Sequence, residues 1–153
     1  MKILVSACLL GENCKYSGGN KYNQAVCDFA RGHQEVPVCP EVLGSLPTPR
    51  CPAENVQGVV TNKEGINVDR EFRAGAAKAL AIAKENGVEL AILQSRSPSC
   101  GVKEIYDGTF SGTKIPGQGV FAKMLMDEGV RVLDAGELPE IILKNEDGKC
   151  QSN

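Results

Sequence analysis

KILVSACLL, residues 2–10, is a nearly unbroken apolar run that Gly11 closes. With no polar alternation it predicts a strand buried on both faces. Such strands belong to largely parallel sheets covered by helices on each side. A short β-type run, EVPV (35–38), supplies a second strand, VELAILQ (88–94) is another of the buried type, and VRVL (130–133) supplies a fourth. Helical patterns fall between them. A weak one covers 24–31. A stronger one starts at Asp69, a plausible N-cap, and repeats Phe72, Ala76, Leu80 and Ala83 at helical spacing up to Gly87. Another begins at Gln118 or Gly119 and runs to Glu128, where Gly129 ends it. Residues 57–67 suggest a short β excursion, and 106–119 an extended, glycine-rich surface loop. The alternation predicts one α/β domain over 1–144. Its sheet is open, mainly parallel and flanked by helices (Rossmann-like), with a helical segment at 138–143 and a polar tail over 145–153.

A length of 153 residues suits one domain. With 42% apolar residues and a net charge of −2, the chain has the balance of an ordinary globular enzyme. A large nucleic-acid footprint needs a basic excess, and base stacking needs aromatics; here aromatics make up 5% and Trp is absent. No nucleic-acid or membrane partner is expected. No segment has the apolar length to span a bilayer. VSAC (5–8) has the look of a lipoprotein cleavage box, but the few residues before Cys8 leave no room for a signal peptide. The expected location is the cytoplasm.

Seven cysteines form an odd set, and without a secretory signal they predict reduced thiols rather than a disulfide framework. The single His33 and the lack of any C-x-x-C pair argue against the usual zinc-finger patterns. What stands out is position. Cys8, Cys39 and Cys100 each fall near the end of one of the first three strands, and ligands of open parallel sheets bind beyond those ends. Cys39-Pro40-Glu41 begins a segment that prolines at 40, 47, 49 and 52 keep out of helix and central strand, a stiff mount for a thiol and a carboxylate.

Each of these residues also has an ordinary reading. Cys8 alone reads as a small buried hydrophobe, Cys27 as part of a helix core, and Cys51 and Cys150 as incidental. Cys14 lies on a flexible loop from which it could join the three. Glu41 is either a solvated loop carboxylate or a general acid/base beside a metal centre. Ser95, Ser97 and Ser99 form local turn bonds, unless one of them orients a substrate or water. Three thiolates hold either a zinc ion or a four-iron cluster, and spacing alone leaves that choice open. A non-catalytic zinc- or cluster-binding module therefore stands beside the enzyme reading. No phosphate-cradling glycine motif is present.

Taken together, VSACLLG (5–11), CKYSGG (14–19), CPEVLGSLPTPR (39–50), SRSPSCG (95–101) and YDGTFSGTKIPGQGVFA (106–122) resemble the thiouracil desulfurase family, in order and over nearly the whole chain. The resemblance implies a compact α/β protein with a 4Fe–4S cluster held by Cys8, Cys39 and Cys100, one iron being left open. It implies removal of sulfur from a thiolated pyrimidine such as 2-thiouracil, giving uracil and hydrogen sulfide. Glu41 then transfers protons and Ser97 helps place the substrate. A soft iron site prefers sulfur to oxygen, which suits that chemistry. Cys51 stands where members of the family more often carry Pro.

Overall fold

In the computed structural model, which describes residues 1–138, the first apolar run divides in two. Lys2–Ser6 forms β1, with Ile3, Leu4 and Val5 fully buried, and Ala7–Leu10 then tightens into a 3-10 turn. Cys8 therefore sits in a turn beyond the strand, not within an extended strand over 2–10. Gly11, at φ 98°, takes the left-handed conformation that ends this turn. Asn23 caps α1 (Gln24–Ala30) by accepting a hydrogen bond from the Val26 N–H, and α1 leads into β2 (Gln34–Val38). β2 is an edge strand, a place where Pro37 is tolerated.

Pro40 does not hold its surroundings out of helix as expected. It occupies the first turn of a short helix, α2 (Pro40–Leu43), where its missing N–H costs nothing and its fixed φ is already helical. The Pro-rich stretch over 47–52 follows, and then an antiparallel hairpin, β3 (Ala53–Val56) with β4 (Val59–Asn62). The β excursion expected over 57–67 is this hairpin, begun earlier in the chain.

Next comes α3 (Asp69–Glu85), whose buried residues Phe72, Ala76, Ala79 and Ala83 include three of the four positions in the periodic pattern. Asp69 lies inside the helix and does not cap it. Its carboxylate instead accepts the Val60 N–H at 3.0 Å and the Arg73 Nε at 2.7 Å. β5 (Leu90–Leu93) follows, fully buried. A second hairpin, β6 (Glu104–Tyr106) with β7 (Lys114–Pro116), occupies much of what sequence reads as loop. The chain then forms α4 (Val120–Asp127) and β8 (Arg131–Asp134). The helix expected at 138–143, the tail and Cys150 lie outside the described residues.

The main sheet has the order β2-β1-β5-β8, all parallel. The two central strands, β1 and β5, are apolar on both sides because both sides are covered, whereas the edge strands β2 and β8 keep exposed residues. Leu4, Ala91 and Leu93 pack with α3 and with Phe121, Ala122 and Leu125 of α4. Ile3, Val5, Leu90 and Ile92 pack on the opposite face with Val26 of α1, Leu9 and Leu138. From β1 the chain crosses by α1 to β2; from β2 it returns by α3, on the other face, to β5. The connections diverge between β1 and β5, and a crevice opens at the carboxyl ends of those strands.

Candidate active site

A cavity of about 440 Å³ lies at that crevice. Cys8, Cys39, Glu41, Ser97 and Cys100, the five residues singled out in the sequence, all line it, and Cys14 lines it with them. Cys27 and Cys51 do not, nor does His33, which stacks on Phe29.

The turn carrying Glu41 is placed by backbone contact. Gly44 of the loop after α2 faces the Glu71 carbonyl, and Gly75 of α3 faces the Pro40 carbonyl so closely that a β-carbon at either glycine would overlap those atoms. Two missing side chains thus let α2 lie directly on α3, which points Glu41 into the cavity.

Arg50 then fixes the carboxylate. Its Nε donates to Glu41 Oε1 at 3.1 Å, and its other nitrogens donate to Pro47 O at 3.1 Å, Thr48 Oγ1 at 3.0 Å and Cys14 O at 2.8 Å. Its backbone N–H reaches Tyr16 O at 2.7 Å. One planar fork therefore ties the loop after β1 to the loop after β2. Cys14 is pinned by these bonds, not carried on a free loop.

The other Glu41 oxygen belongs to the SPSC turn. Ser99 Oγ, 1% exposed, donates to Glu41 Oε2 at 2.8 Å. Ser97 Oγ accepts from the N–H groups of Ser99 at 3.1 Å and Cys100 at 3.0 Å, and lies 2.9 Å from Ser99 Oγ. A serine oxygen with both lone pairs filled has only its own proton left to give, so the chain runs from Ser97 to Ser99 to Glu41. Ser97 builds the turn that presents Cys100, and Ser99 touches the carboxylate. Ser95 is on the cavity wall too, but its hydroxyl donates to Asp134 at 2.7 Å.

Glu54 Oε1 accepts from Gly108 N at 2.9 Å and Phe110 N at 3.1 Å, drawing the second hairpin's loop, with Tyr106 and Phe110, over the cavity. Lys15, Lys21 and Lys63 add ammonium groups to the wall. Burial, and then the neighbouring Lys21, hold Lys15 below the ordinary lysine range.

Arg50, Ser99 and the pinned Cys14 are the contributions that sequence reasoning did not assign. The signal for Arg50 was faint: one arginine closing a Pro-stiffened run nine residues after Glu41.

Three of the cavity thiols, Cys14, Cys39 and Cys100, are pushed towards their neutral form. Burial first, opposed by hydrogen bonds from Ser6 and Ser99, pushes Cys100 up to about 12. Cys39 is raised further, chiefly by its hydrogen bond with Cys14 and then by burial. For Cys14 the Cys39 bond acts downwards, but the Cys8 bond, burial and the charges nearby outweigh it and bring the thiol to about 11. A metal group binding here displaces these protons.

Among the described residues no three His, Cys, Asp or Glu side chains gather tightly enough to hold one ion. A single zinc ion draws every donor to about 2.3 Å from one point. A cubane presents separate irons, each with its own thiolate. Three soft donors reaching one cavity from three strand ends, without histidine, fit the larger group.

The sequence profile of the 2-thiouracil desulfurase family matches residues 3–137. The chain belongs to that family. A Bacillus subtilis (strain 168) relative, the uncharacterized protein YbbK, is 41% identical over 150 residues, spanning 92% of this chain and 99% of its own. A solved structure, the [4Fe-4S]-dependent thiouracil desulfidase TudS, superposes with a TM-score of 0.86 at 38% identity, covering 95% of this chain and 97% of its own. As a desulfurase-family member the chain has the expected α/β fold, and no helix among its described residues is long and apolar enough to cross a membrane.

Proposed function

We propose that this protein is an iron–sulfur-dependent desulfurase that removes sulfur from a thiolated pyrimidine such as 2-thiouracil. Water replaces sulfur at the ring carbon, giving uracil and hydrogen sulfide, with no net electron transfer. The observation that carries this reading is that the Glu41 carboxylate faces the cavity that the thiols of Cys8, Cys39 and Cys100 also line.

Cys8, Cys39 and Cys100 hold the 4Fe–4S cluster, which when bound supplies a soft Lewis acid for the thiocarbonyl sulfur. Glu41 does the proton work. Its side chain is 15% exposed, so it keeps contact with the cavity while Arg50 and Ser99 fix its direction. Such a carboxylate takes a proton from the incoming water and passes it towards the departing sulfur. Ser97 and Ser99 complete the hydroxyl chain behind it, and Ser97 helps place the substrate by setting the turn that faces it. Tyr106 and Phe110 border the cavity and limit the access of bulk water to the ring. All six described cysteines are unpaired, the state that a reducing cytoplasm maintains.

The test is anaerobic purification, followed by iron and acid-labile sulfide analysis and an assay with 2-thiouracil. About four of each per chain, expected for a cubane, together with stoichiometric uracil and sulfide, supports the reading. Zinc without sulfide after attempted reconstitution, or a loaded protein inert towards every thiocarbonyl tried, overturns it.

A further inference from the structure

We propose, resting on the desulfurase reading above, that Glu54 selects the substrate ring: its free carboxylate oxygen accepts the ring N3–H of a uracil-type thiopyrimidine. That reading gives Glu54 no role towards the substrate.

One oxygen of Glu54 is fully engaged. From β3, Oε1 accepts the Gly108 N–H at 2.9 Å and the Phe110 N–H at 3.1 Å. Two donors fill both lone pairs of that oxygen and fix the direction of the carboxylate. The loop that supplies them is stiff. Its Asp107 N–H donates to Thr113 O at 2.9 Å, and Asp107 Oδ1 accepts the Thr109 N–H at 2.9 Å. Gly108 lies so close to the Asn55 carbonyl that a β-carbon there would overlap it. Phe110 has φ 56°, left-handed backbone that a bulky residue adopts only where its surroundings impose it.

The other oxygen is free. Among the described residues Oε2 has no hydrogen-bond partner, and Glu54 belongs to none of their ion pairs. The one buried side-chain oxygen without a partner is Oε2 of Glu71, so Glu54 Oε2 is open to a ligand in the cavity that Glu54 lines. Glu41, the second carboxylate on that wall, has both oxygens committed to Arg50 and Ser99. Glu54 is therefore the cavity carboxylate with an acceptor to spare.

The chemistry of the ring matches it. N3–H lies between the ring carbons C2 and C4, so it borders the thiocarbonyl whichever of the two carries sulfur, and it survives substitution at N1. A fixed carboxylate oxygen accepts it in a charge-assisted hydrogen bond. A cytosine-type ring has a lone pair at N3, which the same oxygen repels, so one group both selects and excludes. The loop that Glu54 holds also brings Phe110 to this wall, an apolar surface for the face of the ring.

The test uses anaerobically loaded wild-type protein, Glu54→Gln and Glu54→Ala, each checked for about four irons per chain. Steady-state kinetics compare 2-thiouracil with its 1-methyl and 3-methyl derivatives. Wild type is expected to convert the 1-methyl compound and to disfavour the 3-methyl compound by about 10- to 100-fold in kcat/KM, the worth of a hydrogen bond to a charged group. Glutamine keeps an oxygen for Gly108 and Phe110 but turns an amide N–H towards N3–H. Its KM for 2-thiouracil is expected to rise by a similar factor, and its preference between the methyl derivatives to vanish. Amide hydrogen exchange at Gly108 and Phe110 is expected to stay slow in Glu54→Gln and to quicken in Glu54→Ala, which separates ring recognition from loss of the loop. Equal use of both methyl derivatives by wild type overturns the inference, even where a variant fails to load. So does Glu54→Gln with an unchanged KM and preference, which would leave Glu54 a loop clamp alone. In either case turnover of 2-thiouracil leaves the proposed function standing, whereas loaded wild type inert towards every thiocarbonyl tried brings both readings down.

Discussion

Arg50 and Glu41 form a buried ion pair, with Nε 3.1 Å from Oε1 and the two side chains only 7% and 15% exposed. Breaking such a pair from one side leaves a charge without a partner in a poorly solvated place, at a cost of about 3 kcal/mol. Arg50→Gln is therefore expected to lower the unfolding free energy by about that amount and to depress turnover of 2-thiouracil more than its KM, because Glu41 loses its orientation. Arg50→Lys restores charge without the fork and recovers only part of the rate. Urea unfolding and steady-state kinetics check both, and an Arg50→Gln enzyme with full turnover rules out the positioning role.

The two serines of the SPSC turn separate cleanly. Ser97→Ala removes the acceptor for two backbone N–H groups, worth about 1–3 kcal/mol of stability, and loosens the turn that presents Cys100. It is expected to lower iron occupancy as well as rate. Ser99→Ala keeps the turn but frees Glu41 Oε2, so iron stays and turnover falls. Iron analysis beside kinetics on both variants distinguishes these outcomes. Full iron in Ser97→Ala with a raised KM assigns that hydroxyl directly to substrate.

Gly75→Ala tests how α2 is held. Alanine is favoured over glycine inside a helix by about 1 kcal/mol. Here its methyl would overlap the Pro40 carbonyl, and neither backbone can yield cheaply. Sterics therefore prevail. The variant is expected to be about 2 kcal/mol less stable, a typical cost of overpacking, and to lose activity because α2 carries Glu41. A variant that melts higher than wild type would refute this account of the packing.

What could be read from sequence follows from which forces are local. The run at 88–94 shows as a strand because burial on both faces makes it continuously apolar, and the Phe72–Ala76–Ala83 stripe shows as a helix because burial on one face imprints a period on it. That Cys8, Cys39 and Cys100 reach one cavity was legible because strand ends are. The 3-10 turn at Ala7–Leu10 was not, since its residues are as apolar as the strand before it. Proline at position 40 gave the same signal whether it blocked a helix or began one, and only docking on α3 decides between them. Asp69 looked like a cap until Val60, nine residues earlier, claimed its oxygen. Arg50 and Ser99 act across loops far apart in sequence, where no spacing rule reaches.

Asp69 gives the fold a dependence on pH. Burial alone would raise its carboxyl, but the Val60 N–H bond and the Arg73 guanidinium more than offset this and hold it below the ordinary value. A carboxylate depressed in the folded state contributes stability that is fully present above its unfolded value, about 3.9, and is lost as pH falls through the lower folded one. Wild type and Asp69→Asn are therefore expected to differ by about 1 kcal/mol at neutral pH and to converge in strong acid. Urea midpoints between pH 7 and pH 2 follow the difference, and a gap that persists unchanged into acid would assign the effect to packing instead.

The ligand and acid/base roles proposed above meet in one cavity, and two substitutions pull them apart. Glu41→Gln keeps the shape of the side chain and an oxygen for Arg50 but cannot take a proton. It is expected to retain the cluster, by iron content and visible spectrum, while turnover drops by about 10²- to 10⁴-fold. Cys100→Ala removes a thiol that is 4% exposed and close to Ser99, and is expected to lose iron together with activity. Activity surviving in Glu41→Gln would move the proton transfer to another group, with Ser99 the nearest hydroxyl. Iron retained in Cys100→Ala would instead make Cys14, the remaining thiol of the cavity, the third ligand.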